Sequence, residues 1–214
     1  PLATLVMGAL LLAGTSLPAQ AQAPARTLKI VPHADLKILD PTFTTAYITR
    51  NFGYMVYDTL FAQDATGKPQ PQMVEKYTSS KDGKQWSFTL RPGLKFSDGN
   101  AVTAADAVAS LQRWGARDSL GRSMGEAGAE WKVVDARTFT LTLQQPFGLV
   151  LEALAKPSGF PPVILPERLA KQPATAPLNE VVGSGPYLFK RDEWVPGNKA
   201  VFVRNPNYTG RREA

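Results

Sequence analysis

Between two Asp-Gly dipeptides, Asp82-Gly83 and Asp98-Gly99, the chain reads Lys84-Gln85-Trp86-Ser87-Phe88-Thr89-Leu90-Arg91-Pro92-Gly93-Leu94-Lys95-Phe96-Ser97. Trp86, Phe88 and Leu90 alternate with Gln85, Ser87, Thr89 and Arg91, which predicts a strand with one face in a core and the other in water. The Asp-Gly pairs tolerate positive φ and predict turns at both ends. Thr103 then stands where a helix N-cap belongs, with Asp106 three residues on and Val108, Leu111 and Trp114 beyond it. Threonine and acid at that spacing can each accept the other's backbone N–H. Strand, turn and capped helix place the chain in the mixed α/β class.

Similar patterns recur on either side. Leu28-Lys29-Ile30-Val31 predicts a short strand entering a loop that holds Leu39-Asp40-Pro41. From about Thr45, the residues Ile48, Phe52, Met55, Val56 and Leu60 fall at helical spacing, and Thr44 or Thr45 can supply the N-cap oxygen. Gly67, Pro69 and Pro71 break the chain before Met73-Val74-Glu75-Lys76-Tyr77. Trp131 to Val134 and Thr138 to Leu143 predict a β pair around Asp135-Ala136-Arg137, with Phe139, Leu141 and Leu143 on its buried face. Pro146 ends it; Leu149, Val150, Leu151, Ala153 and Leu154 then predict a short buried helix, and a proline-rich passage from Pro157 to Pro166 leads to a small one around Glu167 to Ala170. Gly183-Ser184-Gly185-Pro186-Tyr187 predicts a sharp reversal with close backbone approach. A phosphate-cradling loop is the weaker reading there, because neither a Lys-Ser/Thr pair nor a helix pattern follows. A last hairpin, Tyr187 to Trp194 and Lys199 to Arg204, turns at Pro196-Gly197-Asn198.

The order W-x-F-x-L-R-x-G-x-x-F-x-D-G from Trp86, followed by V-T-A-x-D-x-V from Val102, resembles the family 5 extracytoplasmic solute-binding proteins. These are the dipeptide, oligopeptide and nickel receptors of bacterial ABC importers. The resemblance extends through Leu39-Asp40-Pro41, Tyr57-Asp58-Thr59-Leu60-Phe61, Met73 to Tyr77, the 131–143 hairpin, Gly183 to Tyr187 and Asn205-Pro206-Asn207-Tyr208, about Leu28 to Tyr208 in all. It implies a periplasmic binding protein-like fold of two lobes, of which this chain holds the N-terminal part of the first lobe and a subdomain inserted into it. Residues 24–60 would start lobe I, 61–177 form the inserted subdomain, and 178–214 return into lobe I. The N-P-x-Y segment lies before the middle of the resembled proteins, so the chain is expected to be part of a longer one.

By resemblance, the whole protein captures a peptide or similar small solute between its lobes and delivers it to a membrane permease driven by a cytoplasmic ATPase. It uses no nucleotide or other cofactor and is monomeric at full length. The cleft edge of the first lobe would be built near the L-D-P loop and the next helix, here Leu39, Thr44, Thr45 and Tyr47. A loop after the subdomain's first helix would add Ser123 and Met124, and Ser158-Gly159-Phe160 is a further candidate. A chaperone or chemosensory receptor on the same fold is a second reading, and a secreted enzyme a third.

Residues 2–14 are apolar and uncharged, and Ala19-Gln20-Ala21 and Ala21-Gln22-Ala23 follow as overlapping small-x-small sites. That is the form of a secretory signal over residues 1–23, without its basic n-region, rather than of a buried helix, which Pro18 and Pro24 would serve poorly. The chain has no cysteine. A disulfide framework and a lipid-anchoring cysteine are therefore excluded within it, and a free periplasmic protein is expected. The formal charge of +6 is not arranged as a basic stripe with interleaved aromatics, so nucleic acid is not an expected partner. With His33 the only imidazole, no metal ligand set or nucleophile–imidazole pair can be drawn except through it, and a loop histidine is the plainer reading. The carboxylates Asp35 with Asp40, and Asp58 with Asp64, are spaced as caps and turns as readily as for acid–base work. No catalytic or metal-binding residue is assigned.

Overall fold

In the computed structural model, which describes residues 27–210, the expected central strand is β4 (Gln85–Leu90). It lies inside an antiparallel four-stranded sheet of order β3-β4-β6-β5, with β3 (Val74–Ser79), β6 (Thr138–Thr142) and β5 (Glu130–Val133). The period-two reading holds: Phe88, Leu90, Phe139 and Leu141 are fully buried, while the threonines between them stay partly or wholly wet. Phe88 stacks on its cross-strand partner Phe139 at 5.3 Å and on Tyr77 at 6.4 Å, so the buried face is an aromatic ladder. The flanking turns are also as expected, with Gly83 at φ 68° and Gly99 at φ 88°.

Helix α2 (Ala104–Gly115) packs against β5 and β6. Its capping box is formed as the sequence predicts: Thr103 Oγ1 accepts the Asp106 N–H at 3.4 Å, and Asp106 Oδ2 accepts the Thr103 N–H at 2.7 Å. The other oxygen of Asp106 accepts the N–H of Glu167 at 2.7 Å, and Ser110 Oγ accepts that of Leu165 at 2.9 Å. These bonds fix α2 to the start of α5 (Glu167–Ala170), one of the two short helices expected; the other is α4 (Val150–Ala155).

Several local expectations need correction. Helix α1 spans Tyr47–Val56, beginning after Ala46, which offers no side-chain cap; Thr44 Oγ1 instead accepts the Ala46 N–H at 3.3 Å. Leu60 is not on it, because Tyr57 is already extended and the chain runs on into β1 (Phe61–Gln63). Leu60 is buried all the same, which is why it fits the apolar spacing. β1 pairs with β2 (Pro69–Pro71), a hairpin where the prolines had read only as breaks; proline is tolerated on such an edge. A further helix, α3 (Ser119–Glu126), stands where a loop was expected. Asp118 caps it, accepting the Leu120 N–H at 2.9 Å, while Gly121 and Gly125 obscure its periodicity.

Contacts divide the chain after Val31. Residues 27–31 form no strand, contrary to expectation: a strand exists through pairing, and these residues have no ladder partner among the described residues. The signal reading of residues 1–23 lies outside the described residues.

The last hairpin, β7 (Tyr187–Val195) with β8 (Lys199–Arg204), turns at Gly197, φ 75°, as predicted. Phe189 and Phe202 meet α1 through Phe52, with the Phe52–Phe189 rings 5.2 Å apart edge to face. The close approach expected of Gly183-Ser184-Gly185 is made to the end of α1. The Gly185 N–H donates to Val56 O at 3.0 Å, and a Cβ on Gly183 would lie 1.9 Å from that same oxygen. A carbonyl in the last turn of a helix has no partner within the helix, and only backbone bare of Cβ can come near enough here. Asn205 closes the joint from the other side, donating Nδ2 to Gly185 O at 2.9 Å.

Candidate functional site

The L-D-P loop is held from beneath by a buried ion pair. Arg113 on α2 gives Nη2 to Asp40 Oδ2 at 3.1 Å, Nε to Thr42 Oγ1 at 3.0 Å and Nη1 to Gln172 O at 2.6 Å. Asp40 also accepts the N–H of Thr42 at 2.8 Å and of Leu178 at 3.0 Å. Both side chains are essentially inaccessible, 0 and 1% exposed. The pair joins three stretches of sequence: the L-D-P loop, α2, and the segment around 172–178.

One turn beyond Arg113, the half-buried Arg117 lies between two rings, 5.1 Å from the centroid of Phe43 and 5.5 Å from that of Phe160. Its Nη2 donates to Phe43 O at 3.0 Å. Phe160 is positioned in turn by Trp114, whose Nε1 donates to Phe160 O at 2.8 Å. Lys156, just past α4, pairs with the buried Asp118, the cap of α3, and a Cβ on Gly159 would meet Lys156 Nζ at 3.3 Å. The Tyr54 hydroxyl donates to Lys156 O at 3.3 Å, so α1 reaches the same loop. Tyr47, Arg50 and Tyr54 share one face of α1, since residues three and seven apart line up along a helix. Tyr47 is 63% exposed, with Arg50 over its ring at 4.6 Å and His33 edge-on at 6.5 Å.

Through Arg117, Phe43, which precedes Thr44 and Thr45, comes near Phe160, which follows Ser158 and Gly159, and Tyr47 opens α1. Leu39 and Met124 are core residues, 6 and 1% exposed, and offer no surface to a solute. Ser123 is partly buried on α3, not in a loop. Sequence reading did not single out Arg117 or Phe43. They lie 74 positions apart, and no local pattern announces their contact.

The paired carboxylates weighed for acid–base work are engaged separately. Asp35 accepts the Gly197 N–H at 2.7 Å, Asp40 faces Arg113, and Asp64 organises the β1–β2 turn through Thr66 and Gln70. Asp58 is buried, and burial pushes its carboxyl up to about 6 against the lowering pull of the Thr59 N–H, Gln72 and Arg91. Among the described residues, no group of three His, Cys, Asp or Glu could hold a metal ion, and no helix is long and apolar enough to cross a membrane.

Comparison with known proteins extends what the motifs imply. Residues 68–214 match the model of the bacterial extracellular solute-binding proteins, family 5. A probable peptide ABC transporter periplasmic-binding protein of Sinorhizobium fredii is 36% identical over 211 residues, which cover 99% of this chain and 39% of that protein. The nickel-binding periplasmic protein of Escherichia coli is 30% identical over 75% of this chain and 30% of its own length. Among solved structures, a periplasmic binding protein of A. tumefaciens in complex with agropinic acid matches at 29% identity with a TM-score of 0.65, over 80% of this chain and 34% of that one. A dipeptide-binding protein of Pseudoalteromonas in complex with Met-Leu has a TM-score of 0.68 at 23% identity, over 82% of this chain and 39% of that one, and shows the fold alone. The chain spans about two fifths of the length of the first of these relatives. With the family's motifs, its mixed α/β fold and a matching model over most of its length, the chain belongs to the family 5 bacterial extracellular solute-binding proteins.

Proposed function

We propose that this chain is the opening part of the periplasmic solute-binding component of an ABC importer. Residues 1–23 serve as a signal peptide cleaved after Ala21 or Ala23, and the mature protein is free in the periplasm and monomeric. Residues 24–60 start the first lobe, 61–177 form its inserted subdomain, and 178–214 return to it. The return is supported by the Gly185 N–H on Val56 O and by the Phe189 ring against Phe52, which bring the later segment back onto α1. The receptor holds a peptide or similar small solute between lobes, passes it unchanged to the permease, and catalyses nothing.

The observation that carries this reading is the family match over residues 68–214, together with likeness to a peptide-transporter binding protein over 99% of the chain. On the solute-facing side we assign the accessible rim: Thr44, Thr45 and Tyr47, then Ser158, Gly159 and Phe160, with Ser123 at its margin. An exposed ring, Tyr47, and a half-buried one, Phe160, with small residues beside them suit a cleft that grips a solute on closure. The test is calorimetric titration of the longer receptor with peptide pools, beside its Tyr47→Ala and Phe160→Ala variants. The expected result is affinity weakened about tenfold in at least one variant. Unchanged affinity in both removes these residues from the site.

A further inference from the structure

Around the rim the charges do not cancel. Arg113 is balanced by Asp40 and Lys156 by Asp118. Arg117 and Arg122 lie in the same stretch, and among the described residues neither has a carboxylate at ion-pair distance. Their bonds go to carbonyl oxygens: Arg117 Nη1 to Ala174 O at 3.4 Å, Arg117 Nη2 to Phe43 O at 3.0 Å, and Arg122 Nη1 to Arg117 O at 2.9 Å. Carbonyls satisfy donors without neutralising charge. A guanidinium carries about five N–H donors in a planar fork, so Arg117 keeps donors beyond the two it has committed. Phe43 and Phe160 lie within cation–π reach of the guanidinium and restrain it. A half-buried cation held in this way acts through a lower dielectric than one in open water, which strengthens its pull on an anion.

We propose that Arg117, braced by Phe43 and Phe160, binds a carboxylate of the solute other than the C-terminal one that every peptide carries, and that this receptor therefore selects acidic solutes. Arg117 is a specificity residue, since Phe43 and Phe160 supply the apolar contact that any solute in the rim can use. The inference rests on the solute-capture reading above.

The test compares probes differing in a single carboxylate, Ala-Glu with Ala-Gln and Ala-Glu-Ala with Ala-Gln-Ala, titrated calorimetrically into the longer receptor. The wild type is expected to favour the glutamate member by about tenfold or more. Arg117→Gln should abolish the preference by weakening the glutamate member while leaving the glutamine member within about twofold. Arg117→Lys, which keeps the charge but not the planar fork, should retain part of it. Equal binding of the two members by the wild type overturns this inference alone. So does an equal loss of both members in Arg117→Gln, which would make Arg117 a structural prop. Failure of the wild type to bind any of the four overturns the capture reading and this inference with it.

Discussion

At the scale of single residues, two buried carboxylates do opposite things. Asp40 is matched by Arg113 and by backbone N–H groups, so its charge is fully answered. Removing one partner of such a pair strands the other, which costs about 3–5 kcal/mol. Arg113→Met is accordingly expected to lower the stability of the longer receptor by that amount, read by urea denaturation, and a loss below about 1 kcal/mol would place the pair in a solvated setting. Asp58 has no such partner at ion-pair distance, and its folded pKa is raised from 3.8 to about 6. The folded state then binds more protons than the unfolded state between those values. The stability linked to Asp58 is fully present below the unfolded value and is lost as pH rises through the folded one. Asp58→Asn keeps an acceptor for the Thr59 N–H and removes the charge. Its stability gain over wild type should be larger at pH 8 than at pH 4 by about 2 kcal/mol. The same gain at both pH values would show that Asp58 is not a buried anion.

At the scale of elements, the segments that carry the family resemblance turn out to be joints. The Gly183–Gly185 backbone seats against the end of α1, and Asn205 of the N-P-x-Y segment holds Gly185 in place. Gly183→Ala would drive a Cβ to 1.9 Å from Val56 O, a contact with backbone that cannot swing aside. The expected loss is at least about 3 kcal/mol, seen as a fall in melting midpoint or in soluble yield. Gly125→Ala on α3, where a Cβ meets nothing within 4 Å, should instead be neutral or stabilising by about 0.5 kcal/mol. What the sequence disclosed follows the same division. The α2 capping box and the alternation in β4 and β6 were legible because their bonds and periods are local. The start of α1 was misplaced because two threonines advertised a cap that the chain does not use. Helix α3 was hidden by its glycines. The rim's Arg117–Phe43 contact joins residues 74 apart, and the Arg113–Asp40 pair joins residues 73 apart. Nothing in a linear pattern could reveal either one.

At the scale of the whole molecule, the core running from Leu36 to Val182 holds together the elements that carry the rim. Asp35, Asp40, Asp64, Asp106 and Asp118 are engaged in caps, turns and ion pairs, while Tyr47, Phe43, Phe160 and Arg117 lie where α1, the L-D-P loop and residues 156–160 approach one another. Under the proposed function such a surface recognises a solute, and the longer receptor would act on it by closing two lobes, which shifts the population toward a compact bound state. The proposed activity is binding with closure, the solute left unchanged. Small-angle scattering of the longer receptor, before and after saturation with a peptide drawn from the titrated pools, measures it directly, with the solute recovered afterwards and weighed by mass spectrometry. The expected result is a smaller radius of gyration in the bound state, one solute per chain, and a solute returned intact. A radius that does not change on saturation, or a solute returned cleaved or modified, would contradict it.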